Sequence, residues 1–207
     1  MKMKSLLLLG CAATLAGISV PNTARAALIY SGVQNVPVPL TSDGVYLHLT
    51  DGATSGVFPA NWSTEPWLNP FFGGVDIANS PLLRPVITGT DQIVNLASGT
   101  VVGSGSNFVA GESGSSTHVG PAANQFHIGT PGLIGFVFET TVGGADYYGW
   151  LRTTVNNVGA GTIVDWGYET TAGVPVLAGL AAVPEPATFA AGLLCLTAGM
   201  VWRRRVR

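Results

Sequence analysis

Basic side chains are nearly absent from the middle of this sequence. Between Ala27 and Val183 there is no lysine, and two arginines, Arg84 and Arg152, stand against ten aspartates and glutamates, for a net charge of −8. Proteins that bind nucleic acids need lysine and arginine to neutralise the phosphates. The composition of this segment therefore excludes a nucleic-acid partner.

Cysteine is missing from the same segment, because Cys11 and Cys195 lie near the two ends of the chain. The segment must therefore fold without disulfide bonds. About 157 residues can bury a core large enough to need no covalent link, so an extracellular setting stays open. Only 10% of the residues are charged and 47% are hydrophobic, which is typical of a globular domain rather than a disordered chain.

Sequence motifs of common catalytic sites are absent as well. The chain has no serine with glycine two residues to either side, no phosphate-binding loop that ends in lysine, and no helical pair of zinc-binding histidines. His48, His118 and His127 match no spacing of metal ligands, and we interpret them as surface or packed histidines. We predict a non-enzymatic protein with no cofactor and no bound metal.

A second set of candidate ligands is acidic. Asp146, Asp165 and Glu169 offer oxygen atoms that could hold calcium, but no aspartate-rich loop of fixed spacing supports such a site. We favour a solvated acidic face. A secreted hydrolase that uses two of these carboxylates stays open as the weakest alternative.

The first 26 residues have the order of a secretory signal peptide. Lys2 and Lys4 precede an apolar run over residues 6–18, and small residues at Ala24 and Ala26 suit a signal peptidase that cuts after Ala26. A membrane anchor is the alternative, but the run is shorter than the ~20 residues that span a bilayer. A lipid-bearing Cys11 is a second alternative, with too few residues between Lys4 and its sulfur. The segment predicts export through the general secretion machinery.

The other end of the chain predicts a short transmembrane helix. The four residues Val183, Pro184, Glu185 and Pro186 precede an uncharged run over residues 187–202, which would be about 24 Å long as a helix. A basic cluster follows, formed by Arg203, Arg204, Arg205 and Arg207. Positive charge holds a helix end in the cytoplasm, so residues 27–183 would face outward.

This tail resembles the PEP-CTERM sorting signal of Gram-negative bacteria, in which a Pro-Glu-Pro motif, an apolar span and terminal arginines occur in this order. The resemblance implies an exosortase-type membrane protease as partner, processing near Pro184–Pro186, and release to the cell surface or to an extracellular polysaccharide matrix. Similar tails are also labelled as the C-terminal segment of ice-binding proteins, a label that describes the tail alone. An uncut single-span anchor is the alternative.

Alternating apolar residues between turns predict an all-β domain over residues 27–171, a β-sandwich of jelly-roll type. The clearest signals are a strand over Leu133–Thr140 and a hairpin over residues 147–155 and 162–170, which resembles a pattern that often precedes the PEP-CTERM tail. Gly149 and Gly167 within the hairpin predict a bulge or an aromatic ring over bare backbone. Residues 103–120 are predicted as a surface loop and 172–183 as a linker. Shorter strands are predicted over 45–50, 85–88, 92–97, 100–102 and 125–129.

Two further features bear on function. Trp62 and Trp67 lie in a Pro/Asn-rich stretch predicted as a loop, where flat rings could stack on sugars, whereas Trp150 and Trp166 are predicted in the core. Arg152 is predicted to form an internal ion pair with Asp165 or Glu169 across the hairpin, with an anion or sugar contact as the alternative. We therefore expect a structural or adhesive surface protein. Binding of carbohydrate, such as an exopolysaccharide, is the second hypothesis.

Overall fold

The computed structural model describes residues 27–89, 92–110, 119–156 and 159–181. The predicted signal peptide with Ala24 and Ala26, the Pro184–Pro186 motif, the apolar run and the arginine cluster lie outside the described residues. Within the described ranges no helix is long and apolar enough to cross a membrane.

The described chain is all-β, as predicted, with one short 3-10 helix at Phe72–Gly74. Twelve strands follow in chain order: β1 Leu28–Tyr30, β2 Val36–Val38, β3 Tyr46–His48, β4 Thr54–Ser55, β5 Trp67–Phe71, β6 Asp76–Asn79, β7 Leu83–Pro85, β8 Val101–Val102, β9 Gly132–Phe138, β10 Tyr147–Val155, β11 Gly161–Glu169 and β12 Val176–Leu177.

The strands form three antiparallel sheets. The largest has six strands in the order β1-β11-β10-β9-β7, with β2 also paired to β11; a second has the order β4-β3-β5-β6; and β12 pairs with β8. The main hydrophobic core contains side chains of both larger sheets, such as Leu47 and Leu68 from one and Phe136 and Ile163 from the other. This arrangement is consistent with a β-sandwich.

Strand β9 is buried on both faces. Its residues Ile134, Phe136 and Phe138 belong to the main core, whereas Leu133 and Val137 belong to a second cluster on the opposite face. Neighbouring side chains of a strand point to opposite faces, so a strand covered on both sides is apolar throughout. Both faces of β9 therefore belong to a hydrophobic cluster.

The predicted hairpin is formed by β10 and β11. Its bulge lies between Arg152 and Thr153 rather than at a glycine. Both strand glycines instead accommodate rings, because a Cβ atom on Gly149 would meet the ring of Phe136, and one on Gly167 would lie 3.2 Å from the ring of Trp150. The glycines let these rings lie directly against the backbone of the sheet.

The segment after the hairpin corrects the predicted linker at residues 172–183. Strand β12 pairs with β8, and Val176 and Ala178 are buried in the second cluster against Trp150. The outer face of β9 and β10 is too apolar to remain in water, so the chain folds back to cover it. The packed domain therefore extends at least to Gly179, whose carbonyl oxygen accepts a hydrogen bond from Arg152.

Two predicted strands are wrong. Residues 92–97 and 125–129 make only isolated bridges, Ile93 with Ile87 and Phe126 with Val119. Ile93 and Phe126 are nevertheless buried in the main core. The apolar pattern of these two segments therefore indicates burial rather than strand pairing.

Replacing Gly149 by alanine should destabilise the domain by about 1–3 kcal/mol, because the new methyl group would overlap the Phe136 ring and would lie 2.7 Å from the Gly167 carbonyl oxygen. Gly105→Ala is the control, since nothing lies within 4 Å of a Cβ atom there. Urea unfolding of both variants measures the difference. Equal midpoints would contradict this packing.

Candidate functional site

An aromatic cluster covers the outer face of the four-stranded sheet. Because Val45, Leu47 and Leu49 point into the main core, Tyr46 and His48 must point outward. The ring of Tyr46 meets that of Trp62 edge to face, with the centroids 5.7 Å apart. The segment between β4 and β5 thus lies over this face of the sheet.

The two tryptophans predicted to contact sugar are buried in this cluster. Trp62 and Trp67 are 6% and 7% exposed, and Trp67 is the first residue of β5 rather than part of a loop. Phe58 lies on Trp62 with the ring centroids 5.4 Å apart and remains 64% exposed. The ring that faces solvent is therefore that of Phe58, with Trp62 beneath it. Its position within a short apolar run, Val57–Phe58–Pro59, is the sequence signal that points to it.

His48 lies between two carboxylates at the edge of this cluster. Its Nδ1 atom is 2.6 Å from Asp51 Oδ1, its Nε2 atom is 3.3 Å from Glu65 Oε2, and its ring packs on Trp67. Burial opposes ionisation of Asp51, but the Ala53 N–H group and the His48 ring outweigh it and lower the pKa of Asp51. His48 is thus packed, as predicted. His127 is exposed, and His118 lies outside the described residues.

A second polar site joins β1, β10 and β11. Asp165 is fully buried, and Arg152, its partner in the register of the two strands, places Nη1 3.3 Å from Asp165 Oδ2. The Tyr30 hydroxyl donates a hydrogen bond of 2.8 Å to the same oxygen. Arg152 also donates to the Gly179 carbonyl oxygen and lies 5.6 Å from the centroid of the Trp150 ring. The predicted ion pair between Arg152 and Asp165 is confirmed, and the arginine also holds the segment that follows β11.

The carboxylates predicted to form a solvated face are divided. Asp165 and Glu169 are buried, and Glu169 accepts hydrogen bonds from the backbone N–H groups of Ala27 and Thr171. Asp146 is exposed and pairs with Arg84. The solvated-face prediction is therefore wrong for two of its three residues, because the hairpin turns both inward. Among the described residues no group of three potential ligands is arranged to hold a metal ion.

The partner that sequence reasoning missed is Tyr30. Its hydrogen bond to Asp165, followed by burial and the charge of that carboxylate, raises the pKa of Tyr30 above its ordinary value. The phenol therefore stays protonated and keeps donating across the neutral pH range. The sequence gives no local signal for this contact, because β1 and β11 are far apart in the chain and meet only in the sheet.

A cleft of about 250 Å³ lies between β1 and the turn after β3. Its polar groups are already engaged within the protein: Trp166 donates through Nε1 to the Leu49 carbonyl oxygen, and the Tyr168 hydroxyl donates to that of Thr50. These bonds join the two larger sheets across one end of the core. The arrangement is that of a stabilising contact between the sheets.

Comparisons of the chain with protein-family models, with curated proteins and with solved structures found no match.

The two arginines of the domain should differ in their contribution to stability. Arg152→Met leaves Asp165, whose side chain is 1% exposed, without its cation, and should cost about 3 kcal/mol. Arg84→Met is the matched control, because Arg84 pairs with Asp146 and Glu139 at the surface and should cost about 1 kcal/mol or less. Chemical denaturation measures both. Equal losses would contradict the buried role of Arg152.

Proposed function

We propose that this chain is an exported protein of a Gram-negative bacterium that is sorted by a PEP-CTERM tail and has a structural or adhesive role at the cell surface or in the extracellular matrix. The observation that carries the proposal is the order of signals at the C-terminus: Val183–Pro184–Glu185–Pro186, an uncharged span over residues 187–202, and the arginine cluster. The leader over residues 1–26 supports it, because a signal peptide directs translocation across the membrane whereas the arginines keep the C-terminal end in the cytoplasm.

The domain between these ends supports the same proposal. The twelve strands of the described residues form paired sheets around a hydrophobic core, as expected of a module that folds on its own. Its sequence contains no cysteine and so needs no oxidative folding step after export. We propose that a jelly-roll-like sandwich is the exported module.

The proposed sequence of events involves the secretion machinery, signal peptidase, the inner membrane and an exosortase-type protease. The secretion machinery translocates the chain, and signal peptidase removes residues 1–26. The apolar helix then anchors the protein in the inner membrane, with the arginines in the cytoplasm. An exosortase-type protease cuts near the Pro-Glu-Pro motif and passes the domain to the surface or the matrix. The domain itself is the cargo and performs no catalysis in this scheme.

Replacing Pro184, Glu185 and Pro186 together by alanine should leave the leader processed but the tail uncut. Mass spectrometry of both termini, on protein from the envelope and from the medium, measures the two cleavages separately. We expect most of the variant to keep its C-terminus and to stay in the envelope. Thr188→Ala, a change just outside the motif, should be processed as the wild type is. Equal processing of the two variants would contradict the proposed sorting signal.

Carbohydrate binding is the second candidate, favoured by one observation. Phe58 presents an exposed ring beside the exposed Val57 and is held from below by Trp62 and Tyr46, with centroids 5.4 and 5.9 Å away. A rigid ring that faces solvent can stack on a sugar at a small entropic cost. On this hypothesis Trp62 and Trp67 support the contact residue rather than touch the sugar themselves.

Phe58→Ala should abolish retardation in polysaccharide gels if the exposed ring binds sugar. Val142→Ala is the control, because Val142 is also highly exposed, at 73%, but does not lie on an aromatic cluster. The Trp62→Ala and Trp67→Ala double variant should lose binding together with stability, since both rings are buried. A wild-type protein that is not retarded, or a Phe58→Ala variant retarded as the wild type is, would eliminate carbohydrate binding by this face.

A further inference from the structure

The residue that would become the N-terminus after leader removal is held by a carboxylate. The backbone nitrogen of Ala27 donates to Glu169 Oε1 at 2.8 Å. The Ala27 carbonyl oxygen accepts from the backbone N–H of Thr170 at 3.1 Å and from its hydroxyl at 3.0 Å. Ala27 is thus bound through both of its backbone polar groups to Glu169, the last residue of β11, and to Thr170, which follows it.

The carboxylate of Glu169 that accepts this bond is buried. The residue is 5% exposed, and its Oε1 atom also accepts from the Thr171 N–H group at 2.9 Å. In the described part of the chain no arginine side chain pairs with it, because Arg84 contacts Asp146 and Glu139 while Arg152 contacts Asp165. A carboxylate removed from water is costly unless a cation compensates its charge. Two amide dipoles compensate that charge only in part.

Cleavage by signal peptidase would supply the missing cation at this position. Hydrolysis of the Ala26–Ala27 bond consumes one water molecule and leaves a carboxylate on Ala26 and an ammonium group on Ala27. The nitrogen that donates to Glu169 as an amide in the precursor then carries a positive charge. A charged donor at 2.8 Å makes a stronger hydrogen bond than a neutral amide.

We propose that Glu169 is the receptor site for the new N-terminus, so that leader removal converts a neutral hydrogen bond into an ion pair that fastens β1 to β11. This inference rests on the proposed function, which supplies the cleavage after Ala26. It assigns to the export step a second effect besides release from the leader: the processed chain gains stability that the precursor lacks.

The consequence reaches the buried polar site through β1. The strand pairs Leu28 with Glu169 and Tyr30 with Gly167, and the Tyr30 hydroxyl then meets Asp165. The three-residue strand is thus held by a carboxylate at each end, Glu169 at its start and Asp165 at its last residue. A stronger contact between Ala27 and Glu169 should therefore also stabilise the hydrogen bond between Tyr30 and Asp165.

The chain itself permits a clean test, because residues 27–207 contain no lysine. In a chain produced with Ala27 as its first residue, an amine-specific acetylating reagent therefore modifies the α-amino group alone. Acetylation removes the charge but restores an amide like that of the precursor. The four proteins to compare are the free and acetylated chains, each with Glu169 and with Glu169→Gln.

Thermal unfolding at pH 6, where an α-amino group is protonated, should separate the four proteins. With Glu169 present, acetylation should lower Tm by about 2–4 °C, the shift expected when one ion pair of modest strength is lost from a domain of this size. In the Glu169→Gln background acetylation should change Tm by less than about 1 °C, since the partner charge is gone. Equal Tm values with Glu169, or the same decrease in both backgrounds, would overturn the proposal.

A second measurement covers the case in which Glu169→Gln does not fold. Amide hydrogen exchange of Leu28–Tyr30 should be several-fold faster in the acetylated wild-type chain than in the free one, because β1 opens more often. Equal exchange rates would overturn the proposal. Failure of the proposed function is seen separately: envelope protein that does not begin at Ala27 would contradict the export cleavage, whatever the purified chains show.

Discussion

The structure depends on a sheet that is covered on both faces. Strands β9, β10 and β11 form its centre, with the main core on one side and the cluster around Trp150 on the other. Two layers can approach so closely because Gly149 and Gly167 present bare backbone to the rings of Phe136 and Trp150. A sheet with only one covered face would leave Trp150, Val137 and Leu133 in water.

This double coverage determines the extent of the domain. The second layer is built from the short pair β8 and β12, and β12 comes after the hairpin in the chain. Residues 172–181 must therefore return to the sheet before the chain can leave it. Arg152 also fixes this segment on the sheet, because it donates a hydrogen bond to the Gly179 carbonyl oxygen. The proposed sorting tail thus follows a packed segment of the domain.

The scarcity of basic residues in the domain determines how its buried carboxylates are neutralised. With so few basic side chains, each buried carboxylate needs further partners: Asp165 has Arg152 and the Tyr30 hydroxyl, whereas Glu169 has the backbone N–H groups of Thr171 and Ala27. Of these partners, Tyr30 and Ala27 come from β1 and the residue before it. The first residues of the described domain are therefore bound to its last long strand.

Local pattern was sufficient to predict the elements whose neighbours are close in sequence. The alternation in Leu133–Thr140 and the two aromatic runs around the Gly/Asn loop predicted β9 and the β10–β11 hairpin. The hairpin left Asp165 and Glu169 as possible partners of Arg152, and the register of the two strands selects Asp165. The contacts of Tyr30 and Ala27 with β11 could not be predicted, because they join segments from opposite ends of the domain. Trp62 and Trp67 were predicted as sugar contacts because they lie among loop-forming residues. Their burial depends on Tyr46, which comes from another strand.

We propose that residues 27–183 are exported while the arginine cluster stays in the cytoplasm. An alkaline phosphatase reporter, which is active only outside the cytoplasm, fused near residue 100 tests this most directly. We expect the fusion to have phosphatase activity and to lose it when residues 1–26 are deleted. A cytosolic reporter active at the same position, with the phosphatase inactive, would contradict it.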